Sequence, residues 1–103
     1  MASGTIQSPP VVSDVYSALS NTVRWYIYGK VCFVIFYGVS VDADLNSAGL
    51  PVPVSGFVLI DLVYSTHFIG VVQRATNGNW SITTFGSGAG YTVGYGTGCY
   101  LIG

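Results

Sequence analysis

The sequence predicts an all-β domain, an antiparallel β-sandwich or jelly-roll-like barrel of about seven or eight short strands. Three observations carry that prediction. Val, Ile and Thr supply 30 residues and the aromatics 15 more, whereas there is no Glu and one Lys, so strand formers dominate and straight-chain helix formers are scarce. Short apolar runs recur between Gly, Asn, Asp, Ser and Pro clusters at the spacing of a small all-β fold. No segment repeats at a solenoid or propeller period, which leaves a single sheet-built unit.

Length bounds the rest. The chain has 103 residues, enough for one domain that buries roughly 65% of its extended-chain surface. Hydrophobic residues make up 50% and charged residues 7%, the reverse of a disordered composition. Residues 31–41 are the most apolar stretch and are broken by Gly38 and Ser40, so no helical membrane span is expected. The opening Met1-Ala2-Ser3-Gly4 carries no basic and apolar secretory leader, and reads as a non-native leader or the cut edge of a larger protein. Arg24, Lys30 and Arg74 stand singly and form no basic patch, so neither nucleic acid nor an anionic membrane surface is an expected partner.

Residues 1–10 are small and polar, end in Ser8-Pro9-Pro10, and read as a flexible lead-in or linker to one β domain over 11–103. Residues 11–19 alternate loosely and suggest a short strand or turn. Residues 22–28 alternate clearly, with Val23, Trp25 and Ile27 on one face and Arg24, Tyr26 and Tyr28 on the other. Gly29-Lys30 then forms a glycine-first hairpin turn into the return strand 31–41. That strand is apolar on both faces, Val31, Phe33, Ile35 and Tyr37 on one and Cys32, Val34 and Phe36 on the other, which predicts a subunit interface.

Asn46-Ser47, Gly49, Pro51 and Pro53 mark residues 42–55 as a loop. Strands are expected at 57–64 and 68–75 around a Ser65-Thr66-His67 turn. Asn77-Gly78-Asn79 is the strongest turn signal in the chain and leads into a strand over 80–85. Residues 86–90 are a glycine-rich loop, and 91–102 give one or two short strands weakened by Gly94, Gly96 and Gly98.

Chemistry-bearing residues are few. Asp14, Asp42, Asp44 and Asp61 are the only carboxylates besides the chain end, and His67 is the only imidazole. Asp42, Asp44 and Asn46 resemble the start of a calcium loop, but its glycine and distal Glu are missing, so a solvated loop is the better reading. Asp61 lies inside an apolar strand, where it either faces water or blocks edge pairing. Asp61 with His67 is the only conceivable acid–base pair, reachable only across the sheet end, and no catalysis, metal or cofactor is expected. Cys32 and Cys99 match no zinc or redox spacing. They would pair only on neighbouring strands, and free buried thiols are favoured. What remains is aromatic and small-polar: Tyr64, His67, Asn77, Asn79, Trp80, Tyr91 and Tyr95 are types that stack on sugar rings or hydrogen-bond hydroxyls, and the first six are expected on one cluster of loop ends. The competing reading has Trp80 and the tyrosines packing the core or an interface.

Three stretches carry a resemblance. The hairpin from Asn21 through Trp25, Gly29-Lys30 and Phe33-Val34 into Phe36-Tyr37-Gly38-Val39-Ser40-Val41 resembles the opening hairpin of C-terminal receptor-binding domains in bacteriophage tail-fibre and baseplate proteins. Asn77-Gly78-Asn79-Trp80-Ser81-Ile82 is similar to the late turn and strand of those domains, and Gly96-Thr97-Gly98-Cys99-Tyr100-Leu101-Ile102 to the closing one. The match spans residues 12–102 and consists of hairpin and turn grammar. It departs in the middle, where Leu50-Pro51 and Phe57 lack the family's second proline. The resemblance implies a homotrimeric, non-catalytic head at the virion tail tip that binds a host cell-surface saccharide or protein. Its further implied partners are other tail proteins, and its assembly site is the reducing bacterial cytoplasm, in keeping with free thiols. The family shares no contact motif, so no binding residue carries over. A structural trimerisation or virion-decoration domain is the alternative, and a small glycan-active enzyme module is a third reading.

Overall fold

The computed structural model describes residues 12–86 and 90–103; the expected lead-in 1–10 and most of the loop 86–90 lie outside them. Seven strands follow one another: β1 (Tyr16–Ala18), β2 (Val23–Tyr28), β3 (Val31–Ser40), β4 (Val58–Tyr64), β5 (His67–Arg74), β6 (Trp80–Thr84) and β7 (Val93–Leu101). They form one antiparallel sheet in the order β1-β2-β3-β7-β4-β5-β6, curled into a half-barrel. The all-β class holds, and both strong hairpins form as the turn chemistry requires. Gly29 takes a φ of 62° between Tyr28 and Val31, and Gly78 a φ of 95° in the β5–β6 turn.

Two boundaries differ from the sequence reading. His67 belongs to β5, paired with Tyr64, because the β4–β5 turn closes on Ser65 in the left-handed region with a φ of 56°. Residues 93–101 form one continuous strand despite three glycines. Register explains this. Gly94, Gly96 and Gly98 pair with Val39, Phe36 and Val34 and so share the inner face of β7. Across that face runs β4: a Cβ on Gly96 would strike the backbone oxygen of Asp61, and one on Gly98 would come within 2.9 Å of Ile60 Cγ1. β4 meets β7 in register only at Val63 and Tyr95, so the sheet folds over sharply there and only glycine lets the backbones close.

The fold brings two halves together around one core. Val23, Val34, Phe36 and Val39 come from β2 and β3, and Val58, Ile60, Leu62, Ile69, Val72 and Trp80 from β4 to β6. Leu45, Ala48 and Leu50 cap it from the long loop, where Leu45–Ala48 is a short 3-10 helix rather than irregular chain. Only one face of β3 is in this core. Cys32, Val34 and Phe36 are buried, whereas Ile35 is 40% and Tyr37 69% exposed, so the second apolar face looks outward. Among the described residues no helix is long and apolar enough to cross a membrane.

Candidate functional site

The six residues expected to form one patch separate into two groups at opposite ends of β5. Tyr64 and His67 flank the β4–β5 turn, while Asn77, Asn79 and Trp80 sit at the β5–β6 turn. An eight-residue strand lies between them, about 23 Å of extended chain.

At the first end, rings assemble. The β4–β5 turn brings Tyr64 back against β7, and residue 91 enters β7 from the same side. Tyr64 and Tyr91 lie with ring centres 5.0 Å apart, and His67 stands 5.9 Å from Tyr91. The row continues from Tyr64 to Tyr95 at 6.1 Å and from Tyr95 edge-on to Tyr37 at 5.2 Å. Five rings from four strands and one loop thus form a ridge, with Tyr64 and Tyr37 exposed and Tyr91 and Tyr95 half-buried. Tyr95 is named by the sequence reading as a stacking type but not placed in the patch, and Tyr37 is read there as interface. Their cross-strand pairing on β3 and β7 is the signal that joins them, and it requires the strand order.

The second end is committed internally. Asn46, in the 3-10 helix, donates its side-chain NH2 to Asn79 Oδ1 at 2.9 Å and accepts the Trp80 backbone N–H at 2.9 Å. Asn79 N–H is in turn accepted by Asn77 Oδ1 at 2.9 Å. Trp80 is only 7% exposed, and its ring packs 6.0 Å from that of Tyr100. The expectation of a ligand-stacking Trp80 is therefore corrected. Its side chain shares the inner face with Arg74 and Val58, so it serves the core, as the competing reading had it. The single patch of loop ends is corrected with it.

The remaining polar groups resolve individually. Asp44 caps the 3-10 helix, its Oδ1 accepting Asn46 N–H at 3.1 Å, and Asp42 is exposed. Among the described residues no three His, Cys, Asp or Glu gather around a metal-sized space. Asp61 faces water on the outer side of β4, paired with Val71, while His67 pairs with Tyr64 three positions further along. That offset is about 10 Å of strand, too far for proton transfer between them. Arg24 and Lys30 are exposed, and Arg74 is tied to the carbonyl of Gly56, so no cations converge.

Cys32 and Cys99 are free. Their strands are neighbours, yet Cys32 lies opposite Tyr100 and Cys99 opposite Phe33, which puts the two thiols on different faces of the sheet. Cys32 is buried as expected, and burial pushes its thiol pKa up. Cys99 is exposed, because its register position is on the outer face. Tyr100, whose hydroxyl donates to the Pro51 carbonyl at 2.8 Å, is likewise raised by burial and by the neighbouring Cys32.

No pocket opens on the described surface, so the rings stand on an open face rather than in a cleft. Comparison with protein-family models, with curated proteins and with solved structures returns no match.

Proposed function

We propose that this domain is a non-catalytic adhesin, the receptor-binding head of a bacteriophage tail-fibre or baseplate protein, which grips a host cell-surface saccharide with its aromatic ridge. The observation that carries the reading is the row Tyr37, Tyr95, Tyr64, Tyr91 and His67. Sugar rings present C–H faces that pack on aromatic faces, and their hydroxyls find the phenol oxygens and the imidazole at the ridge margin. No cation cluster stands nearby, so the ligand is neutral or nearly so. An open ridge buries little of each sugar, and strength comes from several copies engaging one cell surface.

The copies form a homo-oligomer, expected as a trimer from the family resemblance. The outward face of β3 supports self-association below the ridge: Ile35 on β3 and Leu101 on β7 (61% exposed) leave an apolar strip, bordered by Arg24 on β2 opposite Ile35. The same strip favours the second reading, a structural trimerisation or decoration domain without ligand.

A glycan array probed with the purified oligomer separates the two. The adhesin reading expects binding to neutral glycans that Tyr64→Ala and Tyr91→Ala each reduce at least tenfold, with little change on adding salt. An array that stays blank, or binding that survives both substitutions, leaves the structural reading standing.

A further inference from the structure

The curled sheet has two edges, and they are built differently. The β1 edge is three residues long and ends in a turn where Leu19, Ser20 and Asn21 all take left-handed φ values of 51°, 58° and 66°. Shortness and a tight left-handed turn are devices that stop an edge from recruiting another strand. The β6 edge has none. Its five residues, Trp80–Thr84, contain no charge and no proline, and they pair with β5 in unbroken register.

The register also says which backbone groups are free. Ala75 N–H donates to the Asn79 carbonyl and Phe85 N–H to the Ile69 carbonyl, in line with the pairs Arg74 with Trp80 through Gly70 with Thr84. Hydrogen-bonded positions alternate in an antiparallel ladder, so residues 79, 81, 83 and 85 aim their backbone groups at β5. Trp80, Ile82 and Thr84 aim theirs outward. Asn46 takes the Trp80 N–H, which closes that end of the edge. Ile82 and Thr84 keep N–H and C=O pointing away from the sheet, with no partner among the described residues.

We propose that β6 of one chain pairs antiparallel with β6 of a second copy across a two-fold axis at Thr83. In this register Ile82 lies opposite the partner's Thr84 and Thr84 opposite the partner's Ile82. Each N–H then meets a C=O, and all the outward groups of both residues are satisfied in both chains. A register centred on Ile82 would need the Trp80 N–H, which Asn46 already holds. Identical strands suit each other here because the edge is uncharged: the nearest carboxylate in the row, Asp61, is two strands away, about 10 Å from Thr83. The two-fold also sets Phe85, 43% exposed, over the partner's Ser81. The occupant is a second copy rather than a foreign strand because the free window is only three residues long and its donor and acceptor order maps onto itself by rotation. The contact owes nothing to the saccharide reading. It uses the edge of the sheet, not the outer face of β3, so a trimer built on β3 would be doubled by it to six chains.

The test uses the full chain with Cys99→Ser, which removes the exposed thiol. The mass in solution at micromolar concentration should correspond to an even number of chains. Thr83→Cys should cross-link under mild oxidation to a covalent dimer, since facing residues at a non-hydrogen-bonded pair stand about 4.5 Å apart at Cα, within disulfide reach. Ser81→Cys, which would face Phe85, should not. Thr83→Lys, on an exposed side chain, should halve the mass while leaving the circular dichroism spectrum unchanged. An odd number of chains in the parent protein overturns the proposal. So does a mass that Thr83→Lys does not alter, or cross-linking of Thr83→Cys no better than that of Ser81→Cys.

Discussion

The two ends of β5 are made from similar materials and have opposite fates. At the β5–β6 turn, two asparagines and a tryptophan follow a strong turn signal, and every one of them is consumed by the fold: Asn77 holds the turn, Asn79 holds Asn46, and Trp80 fills the core. At the β4–β5 turn, tyrosines and a histidine follow a weak signal. There the rings touch chiefly one another and remain open to solvent on one side. A residue type suited to binding is therefore no guide to a binding site until the internal demand for it is known. Polar side chains next to a helix or strand end tend to be drafted as its caps, whereas rings that gather on an open surface satisfy no backbone need.

If that contrast is right, substitutions at the knitted end should cost more stability than those at the open end. Trp80→Ala gives the largest effect, about 3–5 kcal/mol, by emptying a core position that nothing nearby can refill. Urea titration reads this as a lower midpoint with the slope kept. Asn46→Ala comes next, at about 1–2 kcal/mol, since it strips the Trp80 N–H and Asn79 of their partners while water can reach part of the gap. Amide hydrogen exchange should show the Trp80 N–H losing protection in Asn46→Ala. An unchanged exchange rate there would mean that the 3-10 helix does not clamp β6.

Much of the fold was legible because hairpins are written locally. Gly29-Lys30 and Asn77-Gly78-Asn79 impose turn geometry by themselves, and the alternation of residues 22–28 sets which side chains face the core. The candidate site was half legible. Tyr64 and His67 flank one turn, and Tyr91 follows the glycine-rich loop, so turn chemistry alone marks all three as loop-end residues. Tyr37 and Tyr95 belong with them only because β7 inserts between β3 and β4, a long-range pairing that no local pattern encodes. Trp80 was misassigned for the same reason: its burial depends on the 3-10 helix and Tyr100 arriving from distant segments. Read locally, the glycines of β7 weaken a strand; only the passage of β4 across Gly96 and Gly98 shows that they permit the close approach of its backbone.

The knitted end should also be the more sensitive to alkali. In the folded protein the Cys32 thiol is held above its ordinary value of 9.0, chiefly by burial, and Tyr100 above its ordinary 10.0. The neutral forms are thus favoured by folding, and ionisation favours the unfolded chain. The stability these groups contribute is fully present below about pH 9 and is lost as pH rises from there toward their folded values. Denaturation midpoints should be flat from pH 6 to 8 and fall above 9. Cys32→Val should flatten the first part of that fall, and Tyr100→Phe the part above pH 10. A profile that keeps its full alkaline slope in both variants would place the sensitivity elsewhere.

A modest stability change belongs to the open end, and it is the one that bears on function. Tyr91 precedes β7, is half-buried, rests against the margin of the core, and has ring contacts with Tyr64 and His67. Removing the ring forfeits part of two aromatic contacts and some packing on the core margin, about 1–2 kcal/mol, well below the cost of Trp80→Ala. Tyr91→Ala should therefore melt well above Trp80→Ala and assemble to the same mass as the parent. Its glycan binding, by contrast, should fall at least tenfold, because the middle of the ridge is gone and Tyr64 loses the neighbour that holds its ring in place. Trp80→Ala makes the opposite pattern: loss of stability first, and loss of binding only in the fraction that has unfolded. Measuring both quantities in both variants turns the contrast between the two ends into a crossed comparison. If Tyr91→Ala instead destabilises the domain as much as Trp80→Ala does, the ridge is a piece of core that happens to reach the surface, and its rings are there to hold β7 rather than to meet a ligand.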